Sequence, residues 1–123
     1  MKKTISILVL FIGVFCFCCN GQEQKVQLNQ TSQRAAEGQS KWMLSQFKLD
    51  TGMYQSIYRI NLKYQLKTDS IHTNKAIASE EKRKLYLLFS KNKEEELQNV
   101  FTPEIFRQYK SSLESVKQNA PRK

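Results

Sequence analysis

The segment between Gly52 and Pro103 contains neither glycine nor proline, and this limits the fold more than any other feature of the chain. Good helix formers dominate the segment. No part of it alternates apolar and polar residues in the way that a half-buried strand would. The sequence therefore predicts an all-α fold.

Apolar spacing and capping residues divide the chain after residue 39 into four predicted helices. These helices cover residues 40–48, 50–70, 75–100 and 102–117, forming one domain at 40–118 that is followed by a tail at 119–123. The main bend is predicted at residues 68–74, which are polar and rich in capping residues. Residues 90–96 are polar on every side of their helix, so this stretch should be the least buried part of the domain.

The second predicted helix carries two apolar stripes. One stripe consists of Met53, Ile57, Ile60, Tyr64 and Ile71. The other consists of Tyr54, Tyr58, Leu62 and Leu66 at strict four-residue spacing, and a narrow polar arc beside it contains Arg59, Lys63 and Lys67. Either both stripes are buried in the same core, or one builds the fold while the other forms a dimer or an exposed surface for a partner.

The first residues of the chain have the pattern of an export signal. Residues 1–21 combine Lys2 and Lys3 with a short apolar run, which predicts a signal peptide that is removed. The run is shorter than the roughly 20 residues that a membrane-spanning helix needs. If the signal is cleaved in the ordinary way near residues 19–21, the protein is predicted to be secreted into the periplasm. If Cys19 is lipidated instead, the protein is predicted to be anchored by a lipid in the envelope. Residues 22–39 are rich in Gln, Asn, Ser and Thr and are predicted to form a flexible polar leader.

Composition argues against an enzyme. All three cysteines lie in the predicted signal peptide, and His72 is the only histidine, so His-dependent triads and multi-His metal sites are not expected within one chain. Glu94, Glu95 and Glu96 are consecutive and fan around a helix, so they do not form a catalytic pair. We predict no catalytic residue, no cofactor and no metal. Asp69 with His72, shared across a dimer, is the weak alternative for a metal site.

The net charge of +9 indicates an acidic or polyanionic partner. Nucleic acid is the usual partner of a basic chain, but export argues against it. The remaining candidates are unfolded proteins, an acidic envelope protein or an anionic surface. A basic surface with no partner is the alternative that the charge alone leaves open.

One helix-start pattern occurs twice in the chain. The two copies are Leu49-Asp50-Thr51-Gly52-Met53 and Phe101-Thr102-Pro103-Glu104-Ile105. Each copy begins with an apolar residue, continues with one or two capping residues and spacers, and ends with a second apolar residue. In the second copy Thr102 is suited to the N-cap, Pro103 to the first helical position and Glu104 to the positive end of the helix.

The doubled pattern resembles the L-T-x-x-Q motif of the Spy/CpxP family of small periplasmic helical proteins. The second copy is similar to the family's common L-T-P-E-Q, and the resemblance covers about residues 40–117. In the family motif the Thr and Gln form a capping box. Met53 and Ile105 stand at the Gln positions here, so the reciprocal bond is lost and these two side chains are expected to join the core.

The resemblance implies an elongated helical hairpin that pairs as an antiparallel homodimer in the cell envelope. It implies either an ATP-independent chaperone for unfolded proteins, or a regulatory or scaffold protein that docks on one envelope partner such as a stress sensor. Some relatives of this kind are metal-linked sensors. The residues expected to bind are the second stripe and its polar arc, namely Tyr54, Tyr58, Leu62, Leu66, Arg59, Lys63 and Lys67.

Overall fold

The computed structural model describes residues 19–121, with side chains from residue 29 onward, and most of the predicted signal peptide lies outside this range. The described elements are α1 (Cys19–Phe47), a one-turn 3₁₀ helix (Thr51–Met53), α2 (Tyr54–Thr73), α3 (Ser79–Val100) and α4 (Pro103–Asn119). Residues 19–121 contain no strand. The predicted all-α class is confirmed.

Helix α1 corrects the prediction of a flexible leader at residues 22–39. These residues are helical and continue without a break into the predicted first helix. Ser32, Ala36 and Ser40 lie one helical turn apart and are fully buried. The polar composition predicted a tether. Small residues at four-residue spacing, however, let one helix approach another closely. The hydroxyl groups of the two serines also form hydrogen bonds. Ser40 Oγ donates to the Ala36 carbonyl at 2.6 Å, and Ser32 Oγ donates to Asp69 at 2.6 Å.

The junction between α1 and α2 confirms the predicted stop and start signals. Lys48 has a φ of 49°, and the Leu49 amide donates to the Leu44 carbonyl at 3.0 Å, which closes α1 with a Schellman-type turn. The Asp50 carboxylate then accepts from the Gly52 amide at 3.2 Å and caps the 3₁₀ turn that leads into α2. The side chain of Asp50 therefore acts as the N-cap, with one 3₁₀ turn inserted before the α-helix.

The second copy of the helix-start pattern also acts as predicted. Thr102 Oγ1 accepts from the Ile105 amide at 3.3 Å, and Pro103 occupies the first turn of α4. Met53 and Ile105 are half-buried and pack against the main core. The N-caps are thus retained while the side chains at the Gln positions contribute to packing.

The bend between α2 and α3 lies later than predicted. Helix α2 continues to Thr73 because Ile71 is buried, and Thr73 Oγ1 donates back to the Asp69 carbonyl at 3.0 Å. The turn begins at Asn74, whose side-chain oxygen accepts from the Ala76 amide at 2.9 Å. Helix α3 accordingly begins at Ser79.

Helix α2 lies between α1 and α3 and runs antiparallel to both. On the α1 side, Ser32 meets Asp69 and Ser40 meets Asn61. On the α3 side, Lys63 meets Glu96, and Lys82 donates to the His72 carbonyl at 3.1 Å. Helix α4 packs against α1 and α3.

The main core lies where the end of α1, the first half of α2, the end of α3 and the start of α4 meet. Phe47 is its centre, with its ring centroid 6.4 Å from that of Phe101, 6.2 Å from that of Tyr109 and 5.8 Å from that of Trp42. The buried members are Met43, Phe47, Ile57, Ile60, Tyr64, Leu97, Phe101 and Tyr109.

The prediction that residues 90–96 are the least buried part is wrong. Glu94 and Glu96 in this stretch are half-buried, whereas Leu87 and Leu88 earlier in α3 are 61% and 49% exposed. The acidic side chains are held by cations of the neighbouring helices, since Lys110 of α4 lies 2.5 Å from Glu94. A helix segment that is polar on every side is therefore packed here between two partners that supply the opposite charge.

Candidate binding surface on helix α2

The two apolar stripes of α2 have different environments. In the first, Ile57 is fully buried and Tyr64 is 5% exposed. The second stripe is only partly covered, with Leu66 36% exposed. We call this second set the outer stripe, and it consists of Tyr54, Tyr58, Leu62 and Leu66. The alternative in which both stripes are buried in one core is therefore not what the structure shows.

The outer stripe begins with a pair of stacked rings. The centroids of Tyr54 and Tyr58 lie 5.9 Å apart with an angle of 11° between the ring planes. The ion pair between Glu37 and Lys41 of α1 borders this end at an N–O distance of 2.5 Å. That pair raises the pKa of Lys41, and nearby Tyr54 contributes to the same effect. Tyr54, Tyr58 and Leu62 are half-buried and Leu66 is exposed, so the outer stripe is partly open to solvent.

The three predicted cations beside the outer stripe do not contribute equally. Arg59 is exposed and forms no ion pair within residues 29–121. Lys63 lies 2.5 Å from Glu96 of α3. The Lys67 amine lies 5.3 Å from the ring centroids of both Tyr64 and Phe89. The charges of Lys63 and Lys67 are therefore partly used within the fold, and Arg59 is the cation best placed to meet a partner.

Glu96 links the buried and exposed sides of α2. Its carboxylate accepts hydrogen bonds from Lys63 and from the Tyr64 hydroxyl, both at 2.5 Å. These bonds lower the pKa of Glu96. Burial and the bond to Glu96 raise the pKa of Tyr64 to about 12. This arrangement fixes the Lys63 side chain toward α3, away from the outer stripe.

Sequence reasoning missed a concave region between three helices, which we call the α1–α2–α3 groove. Its volume is about 610 Å³. The groove is lined by Gln39, Tyr64, Gln65, Thr68, Asp69, His72, Tyr86, Phe89, Ser90 and Lys93. The four-residue spacing of Leu85, Phe89, Lys93 and Leu97 places Lys93 on the inner face of α3, and this was the signal that could have found it.

Lys93 is a cation with a neutral partner. Its amine donates to Gln39 Oε1 of α1 at 2.9 Å, and it forms no ion pair with any carboxylate in the described part of the chain. Burial lowers the pKa of Lys93 to about 8. No negative charge compensates for the desolvation of this amine, so the free energy of unfolding is lower when the amine is protonated than when it is neutral.

The stability of the protein should therefore rise with pH where Lys93 loses its proton. Its pKa is about 8 in the fold and ordinary, 10.5, in the unfolded chain, so between these values the unfolded chain binds the extra proton. The free energy of unfolding of the wild type, relative to that of Lys93→Met, should increase from pH 8 to pH 10.5. Urea titrations at several pH values measure this difference.

The comparison with Lys93→Met removes the contributions of other groups that face the groove. Asp69, His72, Tyr64 and Tyr86 are present in both proteins, as is the pair formed by Glu96 with Tyr64. The raised pKa of Tyr64 gives stability that is present below pH 10 and lost toward pH 12, and it cancels in the difference. If the difference in free energy of unfolding between the wild type and Lys93→Met stayed constant from pH 8 to pH 10.5, the lowered pKa of Lys93 would be contradicted.

Two further alternatives from the sequence concern the lipidation of Cys19 and a metal site shared by Asp69 and His72. Cys19 is the first residue of α1, and its lipidation stays a prediction. Asp69 accepts hydrogen bonds from Ser32 and Gln65, while His72 is exposed. Within residues 29–121, whose side chains are described, no cluster of three metal-ligating side chains is present. No helix within residues 19–121 has the length and hydropathy to cross a membrane.

Comparisons with protein-family models, with curated proteins and with solved structures find no match to this chain. Function is therefore inferred from the residues and their geometry.

Proposed function

We propose that this protein is an exported, ATP-independent chaperone-like protein that holds unfolded polypeptides on the outer face of α2. The observation that carries the proposal is the outer stripe, four apolar side chains that remain partly exposed along one helix beside Arg59. The resemblance of the doubled helix-start pattern to the Spy/CpxP family supports the same function. The activity needs no cofactor and no catalytic residue.

The chemistry of the outer stripe suits an unfolded client. Tyrosine offers an apolar ring with a polar hydroxyl, and leucine offers a flexible apolar contact, so both tolerate many sequences. The partly covered stripe gives weak binding, which allows a client to leave and fold. The charge of the chain, which stays positive without Lys2 and Lys3, would speed the capture of acidic chains by long-range attraction, and Arg59 would then contact them directly.

The proposal includes an antiparallel homodimer of elongated helical hairpins in the periplasm or on a lipid anchor. Two exposed apolar side chains outside the outer stripe, Trp42 of α1 and Val116 of α4, offer contact area for a second copy. Sedimentation of the mature protein tests this part. A monomeric mass at all concentrations would remove the dimer from the proposal and leave the outer stripe as the binding surface of a single chain.

Light scattering of an aggregating client tests the function. The protein should suppress aggregation, and suppression should weaken with salt and in the variant Arg59→Glu. The control is Lys91→Glu, which makes the same change in net charge on the exposed face of α3. Activity of Arg59→Glu equal to that of the wild type and of Lys91→Glu would overturn a role for Arg59.

The range of clients separates a chaperone from the regulatory or scaffold alternative. A chaperone should protect several unrelated denatured proteins, because tyrosine and leucine side chains along one helix tolerate many sequences. Protection of none of them, together with tight binding to one folded envelope protein, would favour the regulator that docks on a single partner.

A further inference from the structure

The α1–α2–α3 groove brings a partly desolvated cation and aromatic side chains to one place. Lys93 and Phe89 come from α3, Gln39 from α1 and Tyr64 from α2. The volume of about 610 Å³ falls in the range that small-molecule sites occupy. We propose that this groove binds a small organic monocarboxylate with an aromatic body, whose carboxylate pairs with Lys93.

The carboxylate is assigned to Lys93 because that amine has unused hydrogen-bonding capacity. A lysine ammonium has three donors, and Gln39 accepts from one of them at 2.9 Å. Within residues 29–121 no acidic side chain lies within 4.0 Å of the amine. An incoming carboxylate would therefore supply the missing negative charge in a site that is partly shielded from water, where such a pair is stronger than at the surface. The lowered pKa of Lys93 agrees with this environment.

The aromatic body is assigned from the walls of the groove. Phe89 and Tyr86 are half-buried on α3, and Tyr64 is buried on α2, so their rings offer apolar surface around the cation. Lys67 lies over the ring of Phe89 from the polar arc, 5.3 Å from the centroid. A flat ring placed against these side chains would bury apolar area.

A single negative charge is favoured over a phosphate or a dicarboxylate. Asp69 lines the same groove, and its carboxylate is held in place by hydrogen bonds from Ser32 at 2.6 Å and from Gln65 at 3.1 Å. A second anionic group on the ligand would meet this fixed negative charge. The groove as a whole therefore matches one carboxylate at the Lys93 end and a neutral body elsewhere.

Amide chemical-shift mapping with 3-phenylpropionate and its neutral amide, 3-phenylpropionamide, tests this site. The acid should shift amide signals of residues around the groove and bind at least about tenfold more tightly than the amide. Lys93→Met should reduce the affinity for the acid to that for the amide, whereas Lys91→Met, which removes an exposed lysine on the same helix, should leave it unchanged. The comparison of acid with amide uses the wild-type protein and does not depend on how the variants fold.

Three outcomes would overturn the inference. These are equal binding of acid and amide, shifts spread over the surface with no focus at the groove, and unchanged affinity in Lys93→Met. Lys93 lies outside the outer stripe, so this inference is separate from the proposed chaperone function. Loss of acid binding in Lys93→Met with full suppression of client aggregation is the result that we expect.

Discussion

Replacing Phe47 with alanine should lower the free energy of unfolding by about 3–5 kcal/mol, the range for removing a large side chain from a packed core. Phe47 is 8% exposed, and its ring contacts those of Phe101 and Tyr109 from two other elements. The variant would leave a cavity between α1, α3 and α4, and the aromatic contacts that join these helices would be lost. The change should appear as a lower midpoint in urea or guanidinium denaturation.

The control for this prediction is Leu87→Ala. Leu87 is 61% exposed on α3, so its truncation should change the free energy of unfolding by no more than about 0.5 kcal/mol. Similar small losses in Phe47→Ala and Leu87→Ala would mean that α1 and α4 do not share a core through Phe47.

Replacing Ala36 with glutamate should destabilise the docking of α1 on α2 by roughly 3 kcal/mol, the scale for an unpaired buried charge. Ala36 is fully buried between Ser32 and Ser40, which both contact α2. A glutamate there would overpack the seam and bring a second carboxylate toward Asp69, which already binds Ser32. Hydrogen exchange of the α1 amides should rise in this variant. The first part of α1 can separate from α2 while the rest of the fold stays intact. The loss in the free energy of unfolding therefore cannot exceed the free energy of this docking.

Ala35 provides a matched control one position earlier. Its side chain is exposed, so Ala35→Glu makes the same chemical change on the solvent face of the same helix. We expect Ala35→Glu to keep α1 amides protected and to change stability by about 0.5 kcal/mol or less. If Ala36→Glu behaved like Ala35→Glu, residues 22–39 would be a leader after all.

Local signals in the sequence predicted the helix class and the starts of α2 and α4. Asp50 and Thr102 act as caps because an N-cap depends on a side chain and an amide two or three residues away. The absence of glycine and proline between Gly52 and Pro103 likewise acts locally, through the backbone. These effects do not require knowledge of which helices pack together.

Features that depend on packing between helices were harder to predict. Residues 22–39 look like a tether by composition, yet the spacing of Ser32, Ala36 and Ser40 gives them a buried face against Asn61 and Asp69. Burial of such small side chains becomes favourable only when a partner helix supplies matching contacts.

The site itself was predicted in part. The four residues of the outer stripe do lie together on the surface of α2, because their spacing follows from helix geometry. The pairing of Lys63 with Glu96 and the placement of Lys93 against Gln39 depend on the approach of α3 to α2 and α1. The spacing within α3 places Lys93 on the inner face of that helix, but no pattern within one helix identifies its partner on another.

Site-specific crosslinking tests the central proposal most directly, namely that the outer face of α2 holds unfolded polypeptide. A photoreactive phenylalanine analogue would replace Tyr58 in one protein and Leu87 in another, and each would be irradiated with a permanently unfolded client. Leu87 is a stringent control because it is apolar and 61% exposed, more than the half-buried Tyr58. We expect a crosslink to the client from position 58 and none from position 87. Equal crosslinking from both positions, or none from position 58, would contradict the account.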